Sequence, residues 1–242
     1  MEIKDFLLFA SPILLIELLA ALAGTYYLKK SKSIIKHSKA LVYFLWTVFL
    51  VELVGLYSGF AYYTNYEYFS FVKGTLFESN LWWYNSFAVI SFAFLSLYFI
   101  SFLKNRTMKF VFTNLTGLFS FASVISFFFS DNFFDTSSVF ITISGTLLIL
   151  CIILYFYYEL LRSDLILRIL GFLPFYVSIG LLVFNLTVTP VDLLSKYFTT
   201  AEDNEIFVSL YLNVYLFANF FLYLSIIIGS HSSRVNLLIS SH

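Results

Sequence analysis

The sequence predicts an all-α polytopic membrane protein, a seven-transmembrane-helix bundle with the N-terminus out and the C-terminus in. Three observations carry this expectation. Of 242 residues, 60% are hydrophobic and only 12% charged, against about 25% charged in soluble domains, and mean hydropathy is +0.89. Seven apolar runs reach the length of about 20 residues that a bilayer crossing needs. Basic residues gather in alternate connections, as the positive-inside rule requires.

The runs are taken in order. Span one covers residues 6–28, with Pro12 near its start and Ala20 and Gly24 at small-residue spacing. Ala21-Leu22-Ala23 before Gly24 resembles a signal-peptidase site, but residues 1–5 have no net positive charge and Glu17 interrupts the apolar region, so a retained span is expected. Span two covers 40–63 and carries Gly55-x-x-x-Gly59, a spacing that permits close approach to span one. Spans three to five cover 81–103, 110–130 and 137–161. Span six covers 172–194, where Pro174 is expected to kink the inner end, and span seven covers 205–229. Helices are required because lipid cannot satisfy exposed backbone groups, and the continuous apolar runs do not fit barrel strands. The connections are short, so residues 1–242 read as a single transmembrane domain without an extramembrane enzyme domain.

Orientation follows from Lys and Arg. Lys29, Lys30, Lys32, Lys36 and Lys39 follow span one, Lys104, Arg106 and Lys109 follow span three, Arg162 and Arg168 follow span five, and Arg234 lies in the tail. Only Lys4, Lys73 and Lys196 fall on the opposite side, which is therefore outside. Aromatic residues mark the boundaries: Tyr62, Tyr63, Trp82, Trp83 and Tyr84 outside, Tyr26, Tyr27, Tyr155, Tyr157 and Tyr158 inside. An aromatic belt accounts for them.

Several chemistries find no support. Lys+Arg and Asp+Glu are both 14, so zero net charge points to no nucleic-acid partner. Cys151 is the single cysteine, and His37, His231 and His242 lie in links or tail, so no metal or cofactor is expected. Span seven has no lysine for a retinal Schiff base, and neither a phosphate loop nor a nucleophile triad is present.

The candidate site is intramembrane and polar. Glu17 and Glu52 lie near the middle of spans one and two, where ionisable residues are costly. The short link makes those spans antiparallel neighbours, so the two carboxyls could meet and share a proton. Asn185 and Asn219 lie near mid-depth of spans six and seven, and with the two acids they would form a polar pocket. Both readings stay open: polar glue between helices, or a proton-, ion- or ligand-linked role. Glu159 and Arg162, three residues apart at the inner end of span five, form an expected inner-interface pair.

YFYYELLRSD followed by LPFYVSIGLLVFNL, ELLAALAGTYYLKK, LWTVFLVELVGLY and SLYLNVYLFANFFLYLSIII cover most of the chain. Together they resemble a family of small seven-helix membrane proteins of Bacteroidota without an assigned activity, sometimes encoded beside sensor histidine kinases. Tyr176 stands where that family has Trp, and Ser178-Ile179 where it has Ser-Thr. The resemblance implies a signalling association and no catalytic residue. The expected function is a non-enzymatic sensor or accessory protein of the bacterial inner membrane, acting through a membrane-bound partner such as a sensor kinase. The alternative is a small transporter using the pocket around Glu17 and Glu52. An intramembrane enzyme ranks last, for want of an active-site constellation.

Overall fold

Long apolar stretches without strand-like alternation leave helix as the backbone's way of satisfying its own polar groups. The computed structural model describes residues 3–30, 36–129, 133–134, 136–195 and 205–239, and no strand occurs among them. The helices are α1 (Ile3–Lys30), α2 (Lys36–Gly55), α3 (Tyr57–Tyr63), α4 (Leu81–Phe102), α5 (Arg106–Phe129), α6 (Val139–Leu161), α7 (Leu173–Ser195) and α8 (Glu205–Ile239). Short 3-10 turns lie at Ser70–Val72 and Asp164–Gly171. Seven spans are long and apolar enough to cross a membrane, with α2 and α3 together forming the second. Of the residues used above, Lys32, Lys196 and His242 lie outside the described residues.

Three details differ from the expectation. The second span divides into α2 and α3 at Leu56, whose backbone keeps helical dihedrals, φ −64° and ψ −15°, and apolar periodicity does not register the division. Pro174 is the second residue of α7 and does not kink it, because a first-turn proline lacks an N–H that has no helical partner anyway. The proline inside that helix is Pro190. α8 runs 35 residues, about 52 Å at 1.5 Å per residue, well beyond the roughly 30 Å of a hydrocarbon core.

The described chain forms two compact units, one of residues 1–15 and 46–156, the other of 16–45 and 157–242. In the first, Val89 of α4, Phe119 of α5 and Ile141 of α6 meet in a core joined by Phe92, Phe127 and Leu148. α6 buries Ile149, Ile152, Ile153 and Phe156, spaced to share one helix face. α5 turns Phe121, Phe128 and Phe129 outward, as a lipid-facing helix does. Buried Asn85 anchors the approach to α6. Its amide donates to Phe133 O at 2.8 Å and Thr136 O at 2.9 Å, and its Oδ1 accepts from Ser138 N–H at 3.0 Å.

The second unit is built on the α7–α8 pair. At Gly180 the helices come so close that a Cβ would sit 3.1 Å from the Leu222 Cα and carbonyl oxygen. Small residues allow such backbone proximity where no hydrophobic effect drives helices together. Tyr176 hydroxyl reaches Leu170 O at 3.1 Å and Ser232 Oγ at 3.2 Å, and Ser232 Oγ–H also donates to Leu170 O. These bonds tie the Asp164–Gly171 turn to α8.

Candidate functional site

Leu56, where α2 meets α3, lies beside a set of polar contacts in the first unit. Around it the backbone stays paired, Leu56 N–H to Glu52 O at 3.2 Å and Phe60 N–H to Leu56 O at 2.9 Å. Three side chains from the start of α4 bond to the same stretch. Asn80 Nδ2 donates to Gly55 O at 2.7 Å, Trp83 Nε1 to Val51 O at 3.0 Å, and Tyr84 hydroxyl to Glu52 Oε2 at 2.8 Å. Positions i, i+3 and i+4 share one helix face, so one turn delivers all three donors.

Gly55 and Gly59 have different neighbours. A Cβ at Gly55 would lie 2.7 Å from Tyr84 Cζ, so the missing side chain admits the tyrosine that reaches Glu52. A Cβ at Gly59 would collide with the Phe6 ring of α1. The pair therefore serves two helices, α4 and α1, where the spacing alone pointed only to span one.

Above this junction the α3–α4 loop is densely bonded. Tyr57 hydroxyl lies 2.7 Å from Phe77 O and 2.9 Å from Ser79 O, sharing its proton, and accepts from Trp82 Nε1 at 3.1 Å. Ser58 Oγ–H donates to Glu78 O at 2.8 Å. The end of α3 is closed by Asn65 N–H to Tyr62 O and Tyr66 N–H to Ala61 O, with Asn65 at φ 52°, a Schellman-type ending. Tyr66 hydroxyl donates to Glu78 Oε1, and Gly74 N–H donates to Glu78 Oε2 at 2.8 Å. The two bonds hold the Glu78 carboxyl below its ordinary value, and the first raises the Tyr66 hydroxyl above its own.

The sequence-derived residues are described within their own units. Glu52 belongs to the first unit, and Glu17, Asn185 and Asn219 to the second. Glu17 is buried, 2% exposed. Asn185 Nδ2 donates to Leu181 O at 2.8 Å and Asn219 Nδ2 to Tyr215 O at 2.9 Å, both within their own helices. At the end of α6, the Arg162 guanidinium lies over the Tyr158 ring at 4.5 Å, and Arg162 N–H bonds Glu159 O at 3.2 Å.

Sequence reasoning passed over Asp192, an acid inside span six. It accepts from Tyr211 hydroxyl of α8 at 3.0 Å, and Tyr211 stacks on Tyr215. An acid between Val191 and Leu193 was the available signal. The donors Trp83 and Tyr84 were hidden by their suitability for an aromatic belt, and Asn80 by its place just before span three. Fold and site together define a multi-pass membrane protein of helical type. Comparison with family models, with curated proteins and with solved structures finds no match to this chain.

Proposed function

We propose that the chain is a non-enzymatic sensor or accessory protein of a bacterial inner membrane, acting by helix rearrangement on a membrane-bound partner such as a sensor kinase. The observation that carries this reading is the junction at Leu56. There, Asn80, Trp83 and Tyr84 link a structured loop to the second span at Val51, Glu52 and Gly55. A change in the loop would reach the membrane interior through those three bonds. The resemblance to a kinase-associated family supports the same reading. With the N-terminus out, the loop is extracytoplasmic and the lysine-rich connection after α1 is cytoplasmic, as the basic residues favour.

The test is affinity purification of the tagged full chain in native-lipid particles, followed by assay of the recovered kinase. The expected result is a co-purifying membrane kinase whose autophosphorylation changes when Asn80→Ala uncouples the loop. A chain recovered without such a partner, or a kinase indifferent to Asn80→Ala, overturns the reading. Reporter fusions in the 29–39 and 162–171 connections test orientation separately: both should report cytoplasmic.

A further inference from the structure

The α3–α4 loop joins two membrane spans, His37–Tyr63 and Leu81–Phe102, and many of its polar groups are satisfied internally. Glu78 accepts from the Tyr66 hydroxyl and from Gly74 N–H, and Thr75 Oγ1–H donates to Val72 O at 2.7 Å. Tyr57 and Ser58 of α3 donate to the Phe77 and Glu78 carbonyls. Large apolar side chains are nonetheless turned outward: Tyr68 is 66% exposed, Phe71 74% and Leu76 63%. Apolar surface left outside in this way marks a contact.

Ring contacts say what covers it. Phe60 belongs to the second span, three residues before its end at Tyr63, about 4.5 Å inside that end at 1.5 Å per residue. Tyr68 and Phe69 both lie beyond the end, yet each ring centroid stands 6.1 Å from that of Phe60, and Phe71 follows at 5.9 Å from Phe69. The loop therefore folds back along α3 instead of leaving it, and its exposed rings continue the surface of a side chain at membrane depth. Charge agrees with lipid as the occupant. Residues 65–80 carry only Glu67, Lys73 and Glu78, so there is no basic cluster for an acidic partner and no like-charged run to hold the loop in water. Phenylalanine and tyrosine suit the boundary between acyl chains and headgroups.

We propose that the 65–80 loop docks on the bilayer, with Tyr68 and Phe71 inserted at the headgroup–acyl boundary of the leaflet at the α3–α4 end of the spans. The contact is apolar, so a zwitterionic leaflet suffices and salt does not release it, unlike docking through charge. The internal bonds of the loop then have a reason, since polar groups held against lipid must find partners within the protein. The proposal goes beyond the sensor reading and needs neither a kinase nor a given orientation of the termini.

The experiment is spin-label accessibility on the full chain in phosphatidylcholine nanodiscs. The exposed Cys151 is removed as Cys151→Ser, and a nitroxide is attached through Tyr68→Cys or Phe71→Cys. Leu118→Cys, at an exposed position midway along α5, is the lipid reference, and spin-labelled free cysteine is the water reference. At positions 68 and 71, as at 118, collision with oxygen, which concentrates in lipid, should exceed collision with a water-soluble nickel chelate, and molar salt should not change that order. Phe71→Asp should reverse the order at the position 68 label, because a carboxylate is costly in the apolar layer, while Phe71→Leu should preserve it and the position 118 label should be unaffected by either. Four results overturn the proposal: labels at 68 and 71 that behave like free cysteine, which puts the loop in water; labels shielded from both reagents, which puts a protein or a second copy on that surface; reversal by salt, which makes the contact electrostatic; or a position 68 label that stays in lipid in the Phe71→Asp protein. The labels on the otherwise unchanged loop decide the question whether or not Phe71→Asp folds.

Discussion

Replacing Gly55 with alanine should be more damaging than removing the hydrogen bond that Gly55 makes room for. The added Cβ would sit 2.7 Å from Tyr84 Cζ and 3.3 Å from Tyr84 Cε2, so the ring must move and its 2.8 Å bond to Glu52 is lost. Interhelical hydrogen bonds in membrane proteins average about 0.6 kcal/mol and reach about 1.7. Overpacking costs about 1–3 kcal/mol. Gly55→Ala should therefore destabilise by about 2–4 kcal/mol, and Tyr84→Phe, which keeps the ring, by about 0.5–2. The assay is reversible unfolding in mixed micelles as a double-mutant cycle. In a Tyr84→Phe background Gly55→Ala should still cost most of its penalty, because the ring remains. In a Tyr84→Ala background that penalty should fall by at least about 1 kcal/mol, since contacting residues couple. A Gly55→Ala protein as stable as wild type, or the same penalty in both backgrounds, would refute the steric account.

Other outcomes are expected elsewhere. Asn85→Ala forfeits bonds to Phe133, Thr136 and Ser138 and should cost about 2–4 kcal/mol, at about 0.5–1.5 per bond; unchanged melting would show that the α5–α6 connection is held otherwise. Gly180→Ala should destabilise, because it presses on the Leu222 backbone, whereas Gly117→Ala meets nothing within 4 Å and should stabilise by about 0.5–1 kcal/mol; similar melting shifts for the two would contradict the close α7–α8 approach. Asp192→Asn keeps an oxygen for Tyr211 and should be tolerated, while Asp192→Leu removes it and should lower the melting temperature; equal melting would dismiss that bond. For the loop, Glu78 titrates below its ordinary 4.5 and Tyr66 above its ordinary 10.0. The depressed acid stabilises above 4.5 and is lost as pH falls through its folded value. The raised phenol stabilises below 10.0 and is lost as pH rises through its own. Proteolysis of the 65–80 loop should be slowest between those limits, and Glu78→Gln should abolish the acidic limb; a flat profile would argue against the pair.

Number and type of elements were legible in the chain itself because they depend on local quantities. A run such as Val139–Leu161 is apolar over its whole length, and the backbone in lipid then has only helix available to it. The individual costly residues were legible for the same reason, since a carboxyl at Glu17 or Glu52 stands out against its neighbours. Their partners were not. Tyr84 satisfies an aromatic belt and a hydrogen bond to Glu52 equally well by composition, and only the meeting of α4 with the turn at Gly55 distinguishes the two. Gly59 reads as a small residue at a helix spacing, yet the Phe6 ring packed against it comes from 53 positions earlier in the chain. The division at Leu56 has no proline or polar run to announce it; the side chains that donate to the nearby Gly55 and Val51 carbonyls, Asn80 and Trp83, come from across the loop. Asn185 and Asn219 carry amides suited to bridging helices, and the bond each makes to the carbonyl four residues back in its own helix could not be told from composition. One-dimensional pattern determines which segments enter the membrane, because transfer from water is a sum over residues. Which polar group meets which is a property of pairs distant in sequence, and tertiary packing alone decides it.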